Sequence, residues 1–242
     1  MKIMEVHLWA TTLVVAAASF PLQAAIIPSP VPSAQLSVGG QQVDISGLTT
    51  SYDPVAKRGN ISGNIQTADW QVSLNVTTNP DPFVLYAVGA VNSTGAPLSF
   101  SFTFTTPLLL GPYDLITNSF DGSMTDLLGD GVTLSGIAQL GLLNGSNVPA
   151  VQLATFTCAA GLAAPLTNHP CPAGPGFGPV SAGVPSAFYS TLGANLSFTV
   201  SPVDSASFNG GVLLAAVPEP ASLALLGLGL AGLGFSRRKR TS

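Results

Sequence analysis

Charge is what this chain has least of. Charged residues make up 7% of its 242 positions, against roughly 25% in a typical soluble domain. Of the seven Lys and Arg, Lys2 stands near the N-terminus, and Arg237, Arg238, Lys239 and Arg240 stand together near the C-terminus. Only Lys57 and Arg58 are left for the stretch from Ile26 to Ala216. That stretch has no Glu, and its two cations against nine Asp give a formal charge of −7. Nucleic acids and anionic lipids are held by Lys and Arg that displace counterions. So acidic a body should repel both, and no nucleic-acid partner is expected.

Groups for acid–base chemistry are equally scarce. Beyond the first 25 residues there is one His, His169, and one Glu, Glu219. A Ser-His-Asp triad would have to use His169, which is followed by Pro170, and no G-x-S-x-G occurs. Glycoside hydrolysis needs paired carboxylates, for which the body offers Asp alone. No catalytic residue set emerges, and no cofactor is expected.

Four Asp crowd into YDLITNSFDGSMTDLLGDG. Hard cations take carboxylate and carbonyl oxygens, which makes Asp121, Asp126 and Asp130 a weak Ca²⁺ candidate beside Asp114. The segment has no Asp-x-Asp-x-Asp-Gly frame and no closing Glu, so solvated turn residues are the simpler expectation. The two cysteines, Cys158 and Cys171, are near neighbours, and in an exported chain such a pair is expected to form a disulfide. With His169 they would make an incomplete metal set lacking a fourth ligand and the usual spacing, so no metal site is expected there.

What the body does have is alternation. In WQVSLNVTT, Trp70, Val72, Leu74 and Val76 alternate with polar residues. In LSFSFTFTT, Leu98, Phe100, Phe102 and Phe104 do so, and in ANLSFTVS, Leu196, Phe198 and Val200. Period two marks strands with one buried and one wet face. FVLYAVGAV (83–91) is apolar on both faces and suits a central strand. NSTGAP (92–97) after it reads as a hairpin turn into the Phe-rich strand. GVTLSGIAQ, VQLATFTC and SFNGGVLLA add further strands. No stretch shows a capped 3.6-residue period, and no internal repeat is evident. With 26 Gly and 20 Pro to make turns, the expected fold is all-β. The body should be an antiparallel β-sandwich or jelly-roll.

The two ends are of another kind. MKIMEVHLWATTLVVAAASFPLQAA has Lys2, an uncharged apolar run from Leu8 to Phe20, and Pro21. This is the layout of a secretory signal peptide cleaved near Ala24 or Ala25. At the other end stands VPEPASLALLGLGLAGLGFSRRKRTS. Its GLGLAG matches G-x-G-x-x-G by letter only: the chain stops ten residues later, with no acidic residue to meet a ribose. Ala221 to Phe235 is uncharged, and the basic cluster follows, an order that places the C-terminus on the cytoplasmic side. At about 1.5 Å per residue the run is short for a hydrocarbon core of about 30 Å, and its glycines weaken an isolated helix. Such a span suits a segment that is inserted, held briefly and removed.

Val217-Pro218-Glu219-Pro220, an apolar Gly/Leu run and Arg-Arg-Lys-Arg, in that order, closely resemble the PEP-CTERM sorting signal of Gram-negative bacteria. The resemblance implies recognition and processing by an exosortase, a membrane cysteine peptidase, with delivery to the cell surface or the extracellular polysaccharide matrix. It assigns Pro218, Glu219 and Pro220 to the recognition triplet and Arg237, Arg238, Lys239 and Arg240 to stop-transfer. The same tail carries the label "ice-binding protein C-terminal domain", which implies no ice binding. The strand segments LNVTT to SFTFTTP also look like the β bodies that accompany such tails.

The expected organisation is a signal peptide (1–25), a β-sandwich exported domain (26–216) and a sorting tail (217–242) with a short transmembrane helix. The precursor would sit in the inner membrane and meet an exosortase-like membrane peptidase. The product would be a non-catalytic surface or matrix protein in contact with extracellular polysaccharide. The alternative is a carbohydrate-binding or adhesive module, which exposed Tyr86, Tyr113 or Tyr189 on one sheet face would favour. A hydrolase stands behind both.

Overall fold

The computed structural model describes residues 31–216, apart from 81, 109–111, 163 and 172–177. The expected signal peptide and the sorting tail with its transmembrane helix lie outside these residues. Among the described residues no helix is long and apolar enough to cross a membrane.

The strands are β1 (Ser33–Val38), β2 (Gln41–Val43), β3 (Thr49–Asp53), β4 (Arg58–Gln66), β5 (Trp70–Asn79), β6 (Phe83–Asn92), β7 (Leu98–Pro107) and β8 (Pro112–Asp126). They continue with β9 (Val132–Leu143), β10 (Ser146–Asn147), β11 (Leu153–Ala160), β12 (Thr167–Pro170), β13 (Val180–Phe188), β14 (Thr191–Val200) and β15 (Asp204–Ala216). Among the described residues a single 3₁₀ turn, Pro149–Val151, precedes β11. All pairings are antiparallel, as the alternation implies. The first sheet runs β10-β9-β14-β7-β1-β2, with β11 also on β9. The second runs β12-β8-β15-β6-β5-β4-β3, with β13 also on β8.

The two sheets face each other across an aromatic seam. Phe100, Phe102 and Phe104 of β7 and Phe198 of β14 point inward from the first sheet. Tyr86 of β6, Phe120 of β8 and Phe208 of β15 point inward from the second. Phe198 meets Phe208 with ring centroids 4.5 Å apart, and Tyr86 meets Phe104 at 5.2 Å. Ring pairs at such separations add to the burial of their large apolar areas. FVLYAVGAV is β6 and is central, flanked by β5 and β15.

One sequence expectation is corrected. NSTGAP is not a hairpin turn: it carries the chain from β6 in the second sheet to β7 in the first. Both edges of β6 are taken by β5 and β15, and both edges of β7 by β1 and β14. Asn92, fully buried, makes the crossing. Its amide donates to the carbonyls of Ala96, Val200 and Ser201 at 2.8, 3.1 and 2.9 Å. Its own oxygen accepts from the Thr94 N–H and hydroxyl at 2.9 and 2.7 Å. One side chain thus ties the end of β6 to the end of β14 with no polar atom left over.

Aromatic size is accommodated by glycine on the neighbouring strand. Phe208 stands directly opposite Gly122, and its ring lies 2.4 Å from where a Gly122 Cβ would be. Tyr86 covers Gly210 in the same way. Gly122→Ala should therefore push the Phe208 ring out of its stack with Phe120, whose centroid is 5.1 Å away. We expect a cost of about 1–3 kcal/mol, the usual range for overpacking, read as a lower urea midpoint. An unchanged midpoint would show that the seam has slack.

Candidate functional site

The long β8–β15 ladder sets Asp204 opposite Asp126 at one end of the second sheet. Asp130, from the turn after β8, joins them, and carboxylate oxygens of all three lie within 4.8 Å of one another. Asp126 and Asp204 are covered; Asp130 is exposed. The Asp126 carboxylate lies under its own turn, at the rim and not deep between the sheets. It accepts from the N–H groups of Leu128 at 3.2 Å, Gly129 at 2.6 Å and Gly131 at 2.8 Å. Asp204 accepts from the Leu127 N–H at 3.3 Å and from the Ser201 hydroxyl. Ser201 in turn accepts from the Thr133 N–H at 2.8 Å.

These partners split the two acids. Burial pushes Asp126 up, but the backbone donors of Gly131, Gly129, Leu128 and Asp130 outweigh it and hold it below its ordinary value. Burial pushes Asp204 up, Ser201 and Leu127 oppose, and the charges of Asp126 and Asp130 add to the rise. A cation here would compete with the backbone donors that already occupy Asp126. The arrangement closes the β8–β9 turn and locks it to the β14–β15 turn.

The structure brings Asp126 and Asp130 together but not Asp121, which accepts from the Asn209 amide at 3.1 Å further along the ladder. Asp204 takes the third place. It lies far along the chain, and only the strand register brings it near, so no local pattern marks it.

Cys158 and Cys171 form a disulfide, with Cα atoms 5.6 Å apart. Cys158 belongs to β11 of the first sheet, and Cys171 directly follows β12 of the second. The bond staples the two sheets at their shared edge and, by the chain-entropy argument, stabilises the fold by about 3 kcal/mol. His169 sits in β12 opposite Met124, and its Nε2 has no hydrogen-bond partner.

The tyrosines proposed as a sugar platform are not one. Tyr86 and Tyr113 are each 4% exposed; both point into the core, where alternation places them. Burial, and then the Asp121 charge, push the Tyr86 hydroxyl well above its ordinary range. Tyr189 is half-buried and donates to the Pro185 carbonyl at 2.7 Å. Among the described residues the exposed aromatic is Phe188, at 68%. It ends β13, where the alternation of Val180, Ala182 and Val184 with exposed residues breaks off.

The outer faces hold shallow depressions. One, of about 280 Å³, crosses β1, β7 and β14 and is lined by Ser37, Ser99, Ser101, Ser197 and Thr199. Another, of about 620 Å³, lies beside Asp121, Asn209 and Ser119.

Comparison with known proteins bears on the tail. Residues 216–239 match the PEP-CTERM protein-sorting motif, so the chain carries a PEP-CTERM sorting signal. No curated protein matches the chain. Among solved structures, TmCBM61 in complex with beta-1,4-galactotriose is 11% identical, with 60% of this chain and 88% of that chain covered and a TM-score of 0.28. A structure of infectious bursal disease virus, Gt strain, is 10% identical over 83% of this chain and 71% of that one, with a TM-score of 0.18. Neither superposition is close enough to carry an argument.

The acid pair has a testable consequence. Asp126, held low, contributes stability above its ordinary value of 3.8, and this is lost as pH falls through its lowered value. Asp204, held high, runs the other way: its ionisation disfavours the fold as pH rises through its raised value. Asp126→Ala should lower the urea midpoint at pH 7, and the gap from the parent should shrink at pH values below 3.8. A gap independent of pH would mean that the carboxylate charge is not what holds the turn.

Proposed function

We propose that this chain is an exported, non-catalytic protein of the bacterial cell surface or extracellular matrix, delivered by its tail. A signal peptide starts export, and the apolar run and basic cluster halt the precursor in the inner membrane. Pro218, Glu219 and Pro220 are left on the outer side, where an exosortase-like membrane peptidase removes the tail. The observation that carries this is the sorting motif at residues 216–239. Pro218 and Pro220 fix φ and lack N–H donors, which favours the extended form that a protease cleft accepts.

The body supports the same reading. β15 ends at Ala216, the first residue of the matched motif and one before Val217, so a cut at or beyond the Pro-Glu-Pro triplet leaves the β-sandwich whole. The outer face of the first sheet is a carpet of uncharged hydroxyls and amides. Ser37, Ser101 and Ser197 stand in one row across three strands. Ser99 meets Thr199 at 2.8 Å, and Asn195 donates to Thr103 at 2.9 Å. A face of this chemistry suits hydrated neutral polysaccharide, with which it exchanges hydrogen bonds without a charge to desolvate.

Changing Pro218, Glu219 and Pro220 together to Ala should leave an unprocessed precursor in the inner membrane. Mass spectrometry of the native extracellular protein should find no peptide from Ala221 to Arg240. Intact peptides across that stretch in the extracellular protein would make the tail a permanent anchor and overturn the proposal.

A further inference from the structure

The two ends of the second sheet differ in a way that the net charge conceals. β15 runs from Asp204 to Ala216, so at about 3.3 Å per residue its ends stand about 40 Å apart. The antiparallel order fixes what shares each end. With Asp204 lie the end of β8 and the β4–β5 turn, bringing Asp69, Asp126 and Asp130. No Lys or Arg stands there among the described residues. With Ala216 lie the starts of β6 and β8, the end of β13 and the β3–β4 turn. Both basic residues of the body stand there, Lys57 in that turn and Arg58 at the start of β4.

The Ala216 end is also apolar on its outside. Leu213 stands opposite Phe83, and Leu115 opposite Ala215. Leu85 leans over Gly211, whose Cβ would meet it at 2.4 Å. Leu85, Leu115 and Leu213 are 43%, 38% and 41% exposed, Phe188 is 68% exposed and Val55, at the tip of the β3–β4 turn, 92%. Among the described residues two acids share this end. The Asp53 carboxylate faces the Val55 and Ala56 N–H groups at 2.8 and 3.0 Å, and Asp114 lies in the bulge beside Leu115.

The chain leaves the sandwich here. The apolar run begins at Ala221, five residues beyond Ala216, a reach of at most about 18 Å. We infer that this rim of the second sheet rests on the bilayer surface of the anchored precursor. Val55, Leu85, Leu115, Phe188 and Leu213 enter the interface, and Lys57 and Arg58 meet lipid phosphates. This rests on the tail being membrane-inserted before it is cut. Apolar side chains gain by leaving water at such an interface, and basic residues gain from anionic headgroups. Asp69, Asp126, Asp130 and Asp204 are carried about 40 Å away along β15, while Asp53, capped by its own turn, and Asp114 stay at the rim beside the two cations. The body therefore leans on the outer face of this end of the second sheet, where Leu85, Leu115 and Leu213 project, with the Pro-Glu-Pro triplet held near the membrane, where a membrane peptidase works.

The test is hydroxyl-radical footprinting of the full chain in vesicles of phosphatidylethanolamine with a minor share of phosphatidylglycerol, read by mass spectrometry. The far end supplies leucines of the same intrinsic reactivity: Leu128, Leu162 and Leu166, 56%, 81% and 73% exposed. Exposure alone accounts for at most about a twofold slower reaction of Leu85, Leu115 and Leu213. We expect them to react several-fold slower than that, with the tail leucines from Leu223 to Leu233 also protected. Rim leucines reacting at the rates their exposure gives, with the tail protected, would overturn the rim contact and leave the sorting reading intact. Reactive tail leucines would overturn both. Rim protection that disappears on dilution with lipid would assign the rim to a second copy of the chain and overturn the bilayer contact.

Discussion

The pairing of β8 with β15 is the constraint on which the rest hangs. It runs from Asp204 opposite Asp126 to Ala216 opposite Tyr113. On its inner side it sets Phe208 over Gly122 and Val212 beside Asn118, building half of the core. At one end it forces two carboxylates together. At the other it delivers the chain to the tail. A slip of one residue would turn Phe208 and Val212 outward and Asn209 inward. The acid pair is thus a consequence of register, made tolerable by backbone donors that keep Asp126 ionised and by burial that lifts Asp204.

Holding two sheets together is a separate task from pairing strands within them, and three devices share it. The aromatic seam supplies non-directional attraction, with Phe198 against Phe208 and Tyr86 against Phe104. Asn92 supplies direction, since five hydrogen bonds fix which turn meets which. The Cys158–Cys171 bond joins the two sheets where β11 and β12 lie at their edges. Apolar attraction alone would let the sheets slide; a buried amide that must find all its partners does not.

Much of the fold was legible because alternation is a property of residues close together. The inward Phe of β7, the inward Val and Leu of β5 and the central place of β6 follow from period two and composition. Which sheet each strand joins is not local, and there the sequence misled. NSTGAP has turn residues whether it makes a hairpin or a crossing, and Asn92 decides through carbonyls 108 and 109 positions away. Asp204 was invisible for the same reason. Tyr86 and Tyr113 illustrate a different failure. A tyrosine is read as wet because of its hydroxyl, but alternation puts both inward, where the ring's apolar area outweighs the polar atom; the Tyr86 hydroxyl is buried without a hydrogen-bond partner. The tail was the most legible part, because a sorting signal is read by machinery as a linear string and needs no fold to be itself.

Tail and rim together make a contact that depends on its tether. Five side chains and two cations bury too little to hold an acidic body on a bilayer alone; even a whole myristoyl chain binds only marginally. Tied within about 18 Å of the surface, the same contact becomes intramolecular, at an effective concentration in the millimolar range. Weak affinity then suffices. Cutting before the apolar run removes the tether along with Arg237, Arg238, Lys239 and Arg240, leaving Lys57 and Arg58 against nine Asp. Cleavage would thus release the body without unfolding any part of it, because the rim holds only what the tail already holds near. A stronger rim would retain the product on the membrane, and a weaker one would leave the Pro-Glu-Pro triplet free to swing.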